Sequence, residues 1–226
     1  MQVRVRSGLV TAGVIAAAIH GSASAAVVSA LDNTANGTAA LQGNLGSLTA
    51  TNWNLKVFTV GSSNATISSM VMGMYASTAS TYSITWELYA VDGSNNPTGS
   101  VLASDNQSQS FTTANASSYY TFTTGGTLAS YSMQANQTYG LLFKSAGGTG
   151  TLSWTQTSPN QVYLPGSSGF SFVANRRTTN SGGLYTDNGY YNAWQMNVNA
   201  ASAVPGAGLA GLAMVGLAGV SRRRRR

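Results

Sequence analysis

The sequence contains no cysteine and only one histidine, His20. Without cysteine the chain can form neither a disulfide framework nor a thiolate metal site. His20 lies within the first 25 residues, which are interpreted below as a signal peptide, so the mature chain would contain no histidine. This excludes a Ser-His-Asp or Cys-His nucleophile and a histidine-ligated zinc ion. We expect no cofactor and no metal site.

Charged residues are also scarce, at 7% of the chain, although the formal net charge is +6. Seven of the eleven basic residues lie in the first 6 and last 5 positions, so the positive net charge comes from the two ends of the chain. The remaining body has a net charge near −1, and a nucleic-acid partner is therefore not expected. The charged residues of the body are Lys56, Lys144, Arg176, Arg177, Asp32, Glu87, Asp92, Asp105 and Asp187.

The first 25 residues have the layout of a secretory signal peptide. Arg4 and Arg6 precede an apolar stretch over residues 8–19, and small residues follow. Ala23 and Ala25 form an Ala-x-Ala pattern that signal peptidase cleaves, so Ala26 is the predicted mature N-terminus. The pattern predicts a signal helix over residues 1–25 and export of the body.

The C-terminal segment, residues 200–226, predicts a membrane span. Residues 204–220 carry no charge and would extend about 26 Å as a helix, which is near the lower limit for a hydrocarbon core of about 30 Å. Ser221 and a basic cluster follow, and the positive-inside bias would hold that cluster in the cytoplasm. The basic cluster consists of Arg222, Arg223, Arg224, Arg225 and Arg226.

The order of motif, weak span and arginine cluster resembles the PEP-CTERM sorting signal of exosortase systems. Val204, Pro205 and Gly206 occupy the place of the usual Pro-Glu-Pro motif, without its glutamate. The resemblance implies an exosortase-type partner, a transient membrane anchor and cleavage near Pro205. The alternative is a permanent single-span anchor.

Between the two ends the sequence predicts an all-β domain over residues 53–199, preceded by an irregular lead-in over residues 26–52. Trp53, Leu55 and Val57 alternate with Asn54 and Lys56. The clearest strand covers residues 81–90, where aromatic and branched side chains alternate with polar ones. Further short runs are separated by Gly, Asn and Ser turns, and none has a convincing amphipathic helical pattern. We expect an antiparallel β-sandwich or jelly-roll-like domain.

The body also resembles the choice-of-anchor exported domains of type R. The resemblance rests on the segment Trp86-Glu87-Leu88-Tyr89 and on the runs 97–102 and 136–141, Pro-Thr-Gly-Ser-Val-Leu and Asn-Gln-Thr-Tyr-Gly-Leu. It implies a β-sandwich that is attached to varied surface anchors and has no established activity.

The acidic residues are the only candidates for a hydrolytic site, which needs two converging carboxyl groups. Glu87 is the sole glutamate, and spatial pairing with Asp105 or Asp187 stays open from sequence. Solvated surface carboxylates are the commoner situation, so no catalytic residue is predicted. Asp92, Ser94 and Asn96 offer oxygens at alternate positions, but a hairpin loop is favoured over a calcium site.

Aromatic residues are the candidates for ligand binding. Trp86 and Trp194 lie in alternating patterns and are expected in the core. In the pairs Tyr119-Tyr120 and Tyr190-Tyr191, one tyrosine could be exposed and stack on a sugar. Arg176-Arg177 is interpreted as a solvated loop pair.

These observations predict an exported, non-enzymatic protein of the cell surface or extracellular matrix, with a structural or adhesive role. The alternative is a carbohydrate-binding module for extracellular polysaccharide.

Overall fold

The computed structural model describes residues 26–42, 47–158, 161–189 and 191–200. These residues form strands, turns and loops, and within them no helix is long and apolar enough to cross a membrane. The predicted signal peptide, residues 1–25, lies outside the described residues. The predicted C-terminal segment, residues 200–226, also lies outside them, apart from Ala200. The strands in chain order are β1 (Ala26–Asp32), β2 (Leu41–Gln42), β3 (Ser47–Leu48), β4 (Trp53–Thr59), β5 (Ala65–Ala76), β6 (Ser80–Val91), β7 (Pro97–Phe111), β8 (Ala116–Thr123), β9 (Thr138–Gly147), β10 (Leu152–Trp154), β11 (Gln156–Thr157), β12 (Leu164–Pro165), β13 (Ser171–Thr178), β14 (Thr186–Asp187) and β15 (Trp194–Ala200).

The strands form two large antiparallel sheets and one small strand pair, which confirms the all-β prediction. The first sheet has the order β12-β1-β15-β5-β10-β3, with β8 on the other edge of β5. The second has the order β14-β13-β4-β9-β6-β7, and β11 pairs with β2 separately. Most neighbours are not consecutive in sequence, so the fold depends on long-range pairing.

The hydrophobic core lies between the two sheets. Phe143 of β9, in the second sheet, contacts Trp154 and Trp194 of the first sheet at ring-centroid distances of 4.4 and 5.8 Å. Trp86 meets Phe122 in the same way at 5.0 Å. Full burial of each large apolar side chain contributes about 1.5–3 kcal/mol, so this layer is the main source of stability. The arrangement is β-sandwich-like.

Strand β6 agrees with the sequence pattern. Tyr82, Ile84, Trp86 and Leu88 are all buried, whereas the residues between them are partly exposed. This is the alternation of a strand with one face on the core. The predicted core positions of Trp86 and Trp194 are both confirmed.

The segment 26–52 is not an irregular lead-in, as the sequence suggested. It contains β1, which lies between β15 and β12 in the first sheet, as well as β2 and β3. The register of β1 shifts between Ser29 and Leu31, and this irregularity breaks the two-residue period that would have revealed the strand. The domain therefore includes β1, β2 and β3 of this segment.

Strand β4 directs its polar residues inward. Lys56 is fully buried, and Phe58 belongs to the main core. Leu55 and Val57 form a second, smaller cluster with Leu142 on the outer face of the second sheet. An alternating strand does not reveal which of its faces meets the other sheet when both faces are covered.

Candidate functional site

Two places in the described chain combine charge with aromatic side chains. One is buried between the sheets and is called here the Lys56 site; it consists of Lys56, Trp154, Tyr163, Asn175 and Asn192. The other is the outer-face patch, which overlies the small cluster on the second sheet; it consists of Trp53, Glu87, Tyr89, Lys144 and Tyr185.

The Lys56 site is assembled from three parts of the chain. Lys56 of β4 lies directly opposite Asn175 of β13, and Asn192 precedes β15 in the first sheet. The Lys56 Nζ donates hydrogen bonds to Asn175 Oδ1 and to Asn192 Oδ1, the latter at 2.7 Å. The amine thus bridges the second sheet and a segment next to the first.

Both asparagine side chains of the site are held in a defined orientation. Asn175 Nδ2 donates to the Asn188 carbonyl oxygen at 2.9 Å, and Asn192 Nδ2 donates to the Trp154 carbonyl oxygen at 2.8 Å. Because each amide nitrogen is engaged by a backbone acceptor, each Oδ1 is directed at the lysine.

Aromatic rings surround the amine. The Nζ lies 4.5 Å from the Trp154 ring centroid and 5.6 Å from that of Tyr163, whose hydroxyl donates to the Asn192 carbonyl oxygen at 2.8 Å. Among the described residues the ion pairs are Lys144–Glu87 and Arg176–Asp187, so no carboxylate neutralises Lys56 there. Desolvation by burial holds the pKa of Lys56 well below its usual value. Burial likewise raises the pKa of Tyr163 well above its usual value.

The outer-face patch centres on an ion pair. Lys144 Nζ lies 2.6 Å from Glu87 Oε1, and the Tyr89 hydroxyl donates to Glu87 Oε2 at 2.9 Å. The same Nζ is 5.0 Å from the Trp53 ring centroid. Burial raises the pKa of Tyr89, and it raises the pKa of Tyr185 to about 12. The patch presents amphipathic aromatic side chains beside one charge of each sign.

Arg176 fastens two loops beside this patch. Its Nη1 donates to the Ser94 carbonyl oxygen at 3.0 Å, and its Nη2 donates to the Tyr185 carbonyl oxygen at 2.9 Å. Asp187 Oδ1 lies 3.3 Å from Nη1. The interpretation of Arg176-Arg177 as a solvated loop pair is wrong, since both lie in β13 and the Arg176 side chain is only 17% exposed.

Glu87 and Asp105 do not form the carboxylate pair that the open hydrolase hypothesis allowed. Glu87 lies on the outer face of the second sheet, whereas Asp105 pairs with Trp86 across β6 and β7 and lies on the opposite face. Asp187 is opposite Arg176. Within the described residues no group of three or more His, Cys, Asp or Glu side chains could hold a metal ion.

The loop after β6 is a hairpin, as predicted. Asp92 Oδ1 accepts hydrogen bonds from the backbone nitrogens of Ser94 and Asn96, each at 2.9 Å. The hydrogen bond from Asn96 is the main reason why the pKa of Asp92 lies below its ordinary value. The carboxylate therefore closes the turn.

In the two tyrosine pairs, the tyrosines that the structure describes are partly buried. Tyr119 and Tyr120 are both half-buried; the Tyr119 hydroxyl donates to the Ala39 carbonyl oxygen at 2.9 Å, and Tyr120 packs on Phe111. Tyr191 is also half-buried. Tyr190 lies outside the described residues. The possibility that one tyrosine of Tyr119-Tyr120 is fully exposed and free to stack on a sugar is therefore not realised.

Of the predicted processing residues, Ala26 begins β1. Ala23, Ala25, the motif Val204-Pro205-Gly206 and the cluster Arg222 to Arg226 lie outside the described residues. Sequence reasoning missed both the Lys56 site and the outer-face patch. A lysine between the apolar residues Leu55 and Val57 was the only local signal for the first.

The sequence matches no model of a known protein family, and no curated protein matches it.

Proposed function

We propose that this chain is an exported, non-enzymatic β-sandwich protein of the cell surface or extracellular matrix, with a structural or adhesive role. The observation that carries the proposal is that each of the five Asp and Glu side chains contacts a backbone nitrogen or a basic side chain of the fold. The five acidic residues all lie in the described part of the chain, and each has a partner within it.

Each carboxylate holds a loop or a strand. Asp32 Oδ1 accepts from the Thr34 nitrogen at 2.6 Å, and Asp105 Oδ2 accepts from the Gly125 nitrogen at 2.8 Å. Glu87, Asp92 and Asp187 engage Lys144, the turn backbone and Arg176 as described above. Hydrolysis by paired carboxylates needs one group facing the leaving oxygen and another facing a water or the substrate carbon. Carboxylates that are committed to the fold support a structural role instead.

Export and sorting belong to the same proposal. A signal peptidase would remove residues 1–25, and an exosortase-type enzyme would recognise the PEP-CTERM-like signal and cleave near Pro205. Ala26 and Ala200 are partners in the pairing of β1 with β15, so the two processed ends would leave the domain side by side. This supports the proposal because removal of both ends would leave all the strands that the structure describes in place.

The test is intact-mass measurement and terminal peptide mapping of the protein isolated from its native envelope. We expect a species that begins near Ala26, ends near Pro205 and fractionates with the outer surface or matrix. A variant with Arg222 to Arg226 changed to serine is the matched control, and it should remain unsorted. A surface species that retains all five arginines would contradict exosortase cleavage, and a cytoplasmic species would contradict export.

The second candidate is a carbohydrate-binding module, and the outer-face patch is the observation that favours it. Trp53, Tyr89 and Tyr185 are partly exposed aromatic residues that gather around the Glu87–Lys144 pair. Such amphipathic rings beside charged hydrogen-bonding groups suit a sugar ring. Saturable binding to an extracellular polysaccharide should be weakened in a Trp53→Phe, Tyr89→Phe double variant. It should be unchanged in Tyr75→Phe, which alters a partly exposed tyrosine of the first sheet.

A further inference from the structure

We propose that Lys56 and Asn192 form an intramolecular isopeptide bond, which cross-links the two sheets covalently. The inference does not depend on the proposed surface role. It rests on the contact of a fully buried primary amine with a carboxamide that the surrounding backbone holds in position.

The geometry brings the two groups together before any reaction. Lys56 Nζ is 2.7 Å from Asn192 Oδ1, so the amine is in contact with the amide group that it would attack. Asn192 cannot turn freely, because its Nδ2 donates to the Trp154 carbonyl oxygen at 2.8 Å. Asn175 Oδ1 accepts a second hydrogen bond from Nζ and holds the amine from the other side. Reacting groups fixed in contact gain a large effective concentration relative to free ones.

Burial favours the nucleophilic form of the amine. Lys56 is fully buried beneath the Trp154 ring and has no ion-pair partner in the described part of the chain. Desolvation disfavours the ammonium ion, and it holds the pKa of Lys56 well below its usual value. A desolvated lysine is a recognised route to an activated amine nucleophile.

The reaction balances without an oxidant or a cofactor. The Nζ lone pair attacks the side-chain carbonyl carbon of Asn192, a new carbon–nitrogen bond forms, and the bond from that carbon to Nδ2 breaks. One proton passes from Nζ to the departing nitrogen, which leaves as ammonia. The product is a secondary amide between the two side chains, and the chain loses the mass of one ammonia molecule. Asn175 acts here as a positioning residue for the amine.

The isopeptide bond would give the domain a covalent cross-link, which this sequence cannot form with cysteine. The two residues are 136 positions apart, and they join β4 of the second sheet to the segment that enters β15 of the first. Closing so long a loop restricts the unfolded chain, and by analogy with a disulfide the stabilisation grows with the length of the loop.

The decisive experiment is a peptic digest of the full-length expressed chain after denaturation, analysed by mass spectrometry. We expect a branched species in which the peptide containing Lys56 is joined to the one containing Asn192, with the loss of one ammonia. Succinimide formation, for example at Asn188-Gly189, also releases ammonia, but it leaves the peptides separate. Recovery of both peptides as separate, unmodified species from folded protein would overturn the proposal.

Variants separate the roles of the residues. Asn192→Ala removes the acyl donor, and Lys56→Met removes the nucleophile, so each variant should abolish the branched peptide. The fluorescence emission of the buried tryptophans shows whether the two sheets still pack in each variant. Asn175→Asp places a carboxylate beside Nζ, which would hold the amine as an ammonium ion, so it should lower the rate of cross-linking several-fold below wild type. Asn175→Ala should lower that rate. A wild-type rate in Asn175→Ala would refute the positioning role of Asn175, and a wild-type rate in Asn175→Asp would refute the need for a neutral amine. A branched peptide that persists in Asn192→Ala would refute Asn192 as the acyl donor.

Discussion

Substitution of Gly73 by alanine should destabilise the protein although the new residue adds only one methyl group. Gly73 lies in β5 at the point where its neighbour changes from β15 to β10. A Cβ at this position would lie 2.6 Å from Leu41 Cδ2, 2.8 Å from Ala193 Cβ and 2.9 Å from Thr155 Oγ1. All three distances are shorter than a van der Waals contact permits.

The surroundings of Gly73 can relax only in part. The Leu41 side chain can rotate away, but the Ala193 Cβ has no rotamer, and the adjacent backbone is held by two hydrogen bonds. These run from Gly73 nitrogen to the Ala193 carbonyl oxygen and from Thr155 nitrogen to the Gly73 carbonyl oxygen, each at 2.9 Å. Overpacking of this kind costs about 1–3 kcal/mol. The reduced entropy of the unfolded chain returns about 0.4–1 kcal/mol, so we expect the free energy of unfolding to fall by about 1–2 kcal/mol.

Urea unfolding followed by tryptophan emission measures this change. The midpoint should fall while the dependence on urea concentration stays constant, because the surface exposed on unfolding is nearly unchanged. Gly93→Ala is the matched control, since nothing lies within 4 Å of a Cβ there and no comparable loss is expected. A Gly73→Ala protein at least as stable as the Gly93→Ala protein would refute the steric argument.

Three further predictions follow from the geometry of single side chains. The pKa of Tyr185 is raised to about 12, so the folded state keeps a proton that the unfolded chain releases near pH 10. The free energy of unfolding should therefore decline between pH 10 and pH 12, and it should decline less steeply in Tyr185→Phe. Urea midpoints measured against pH in both proteins test this. The same decline of stability with pH in both proteins would contradict the raised pKa of Tyr185. Asp105→Asn weakens a buried acceptor of the Gly125 nitrogen and should lower the free energy of unfolding by about 1–3 kcal/mol. Asp92→Asn, in an exposed loop, is the control and should change the urea midpoint less. Equal losses of stability in the two variants would count against the contribution of the buried contact. Trp154→Phe removes the Nε1 donor to the Ala193 carbonyl oxygen at 2.8 Å and should lower the thermal midpoint, and an unchanged midpoint would show that this bond contributes nothing.

Strand β6 shows what could be predicted from local sequence. Its alternation follows directly from a pleated strand with one face on the core, and Tyr82 to Leu88 on alternate positions are all buried. The hairpin at Asp92 was predictable for a similar reason, because a short polar side chain bonds to the backbone of its own turn.

Strand β1 and the orientation of β4 were not predictable in this way. The register shift in β1 removes the periodic signal, and its partner β15 lies at the other end of the domain. In β4 both faces are covered, so the pattern gives a strand without telling which side meets the other sheet. Hydrophobic periodicity indicates which side chains are buried, but it does not indicate which other part of the chain covers them.

The sequence by itself determined the all-β class, the positions of strands β4 and β6 and the absence of cysteine chemistry. Composition and short-range periodicity are local properties, and they are sufficient for those conclusions. Only the tertiary structure decided that Lys56 meets Asn175 and Asn192, which are 119 and 136 residues away. It also decided that Glu87 and Asp105 lie on opposite faces of one sheet. Contacts of this kind depend on strand pairing across the whole domain, because the order of strands in the two sheets differs from their order along the chain.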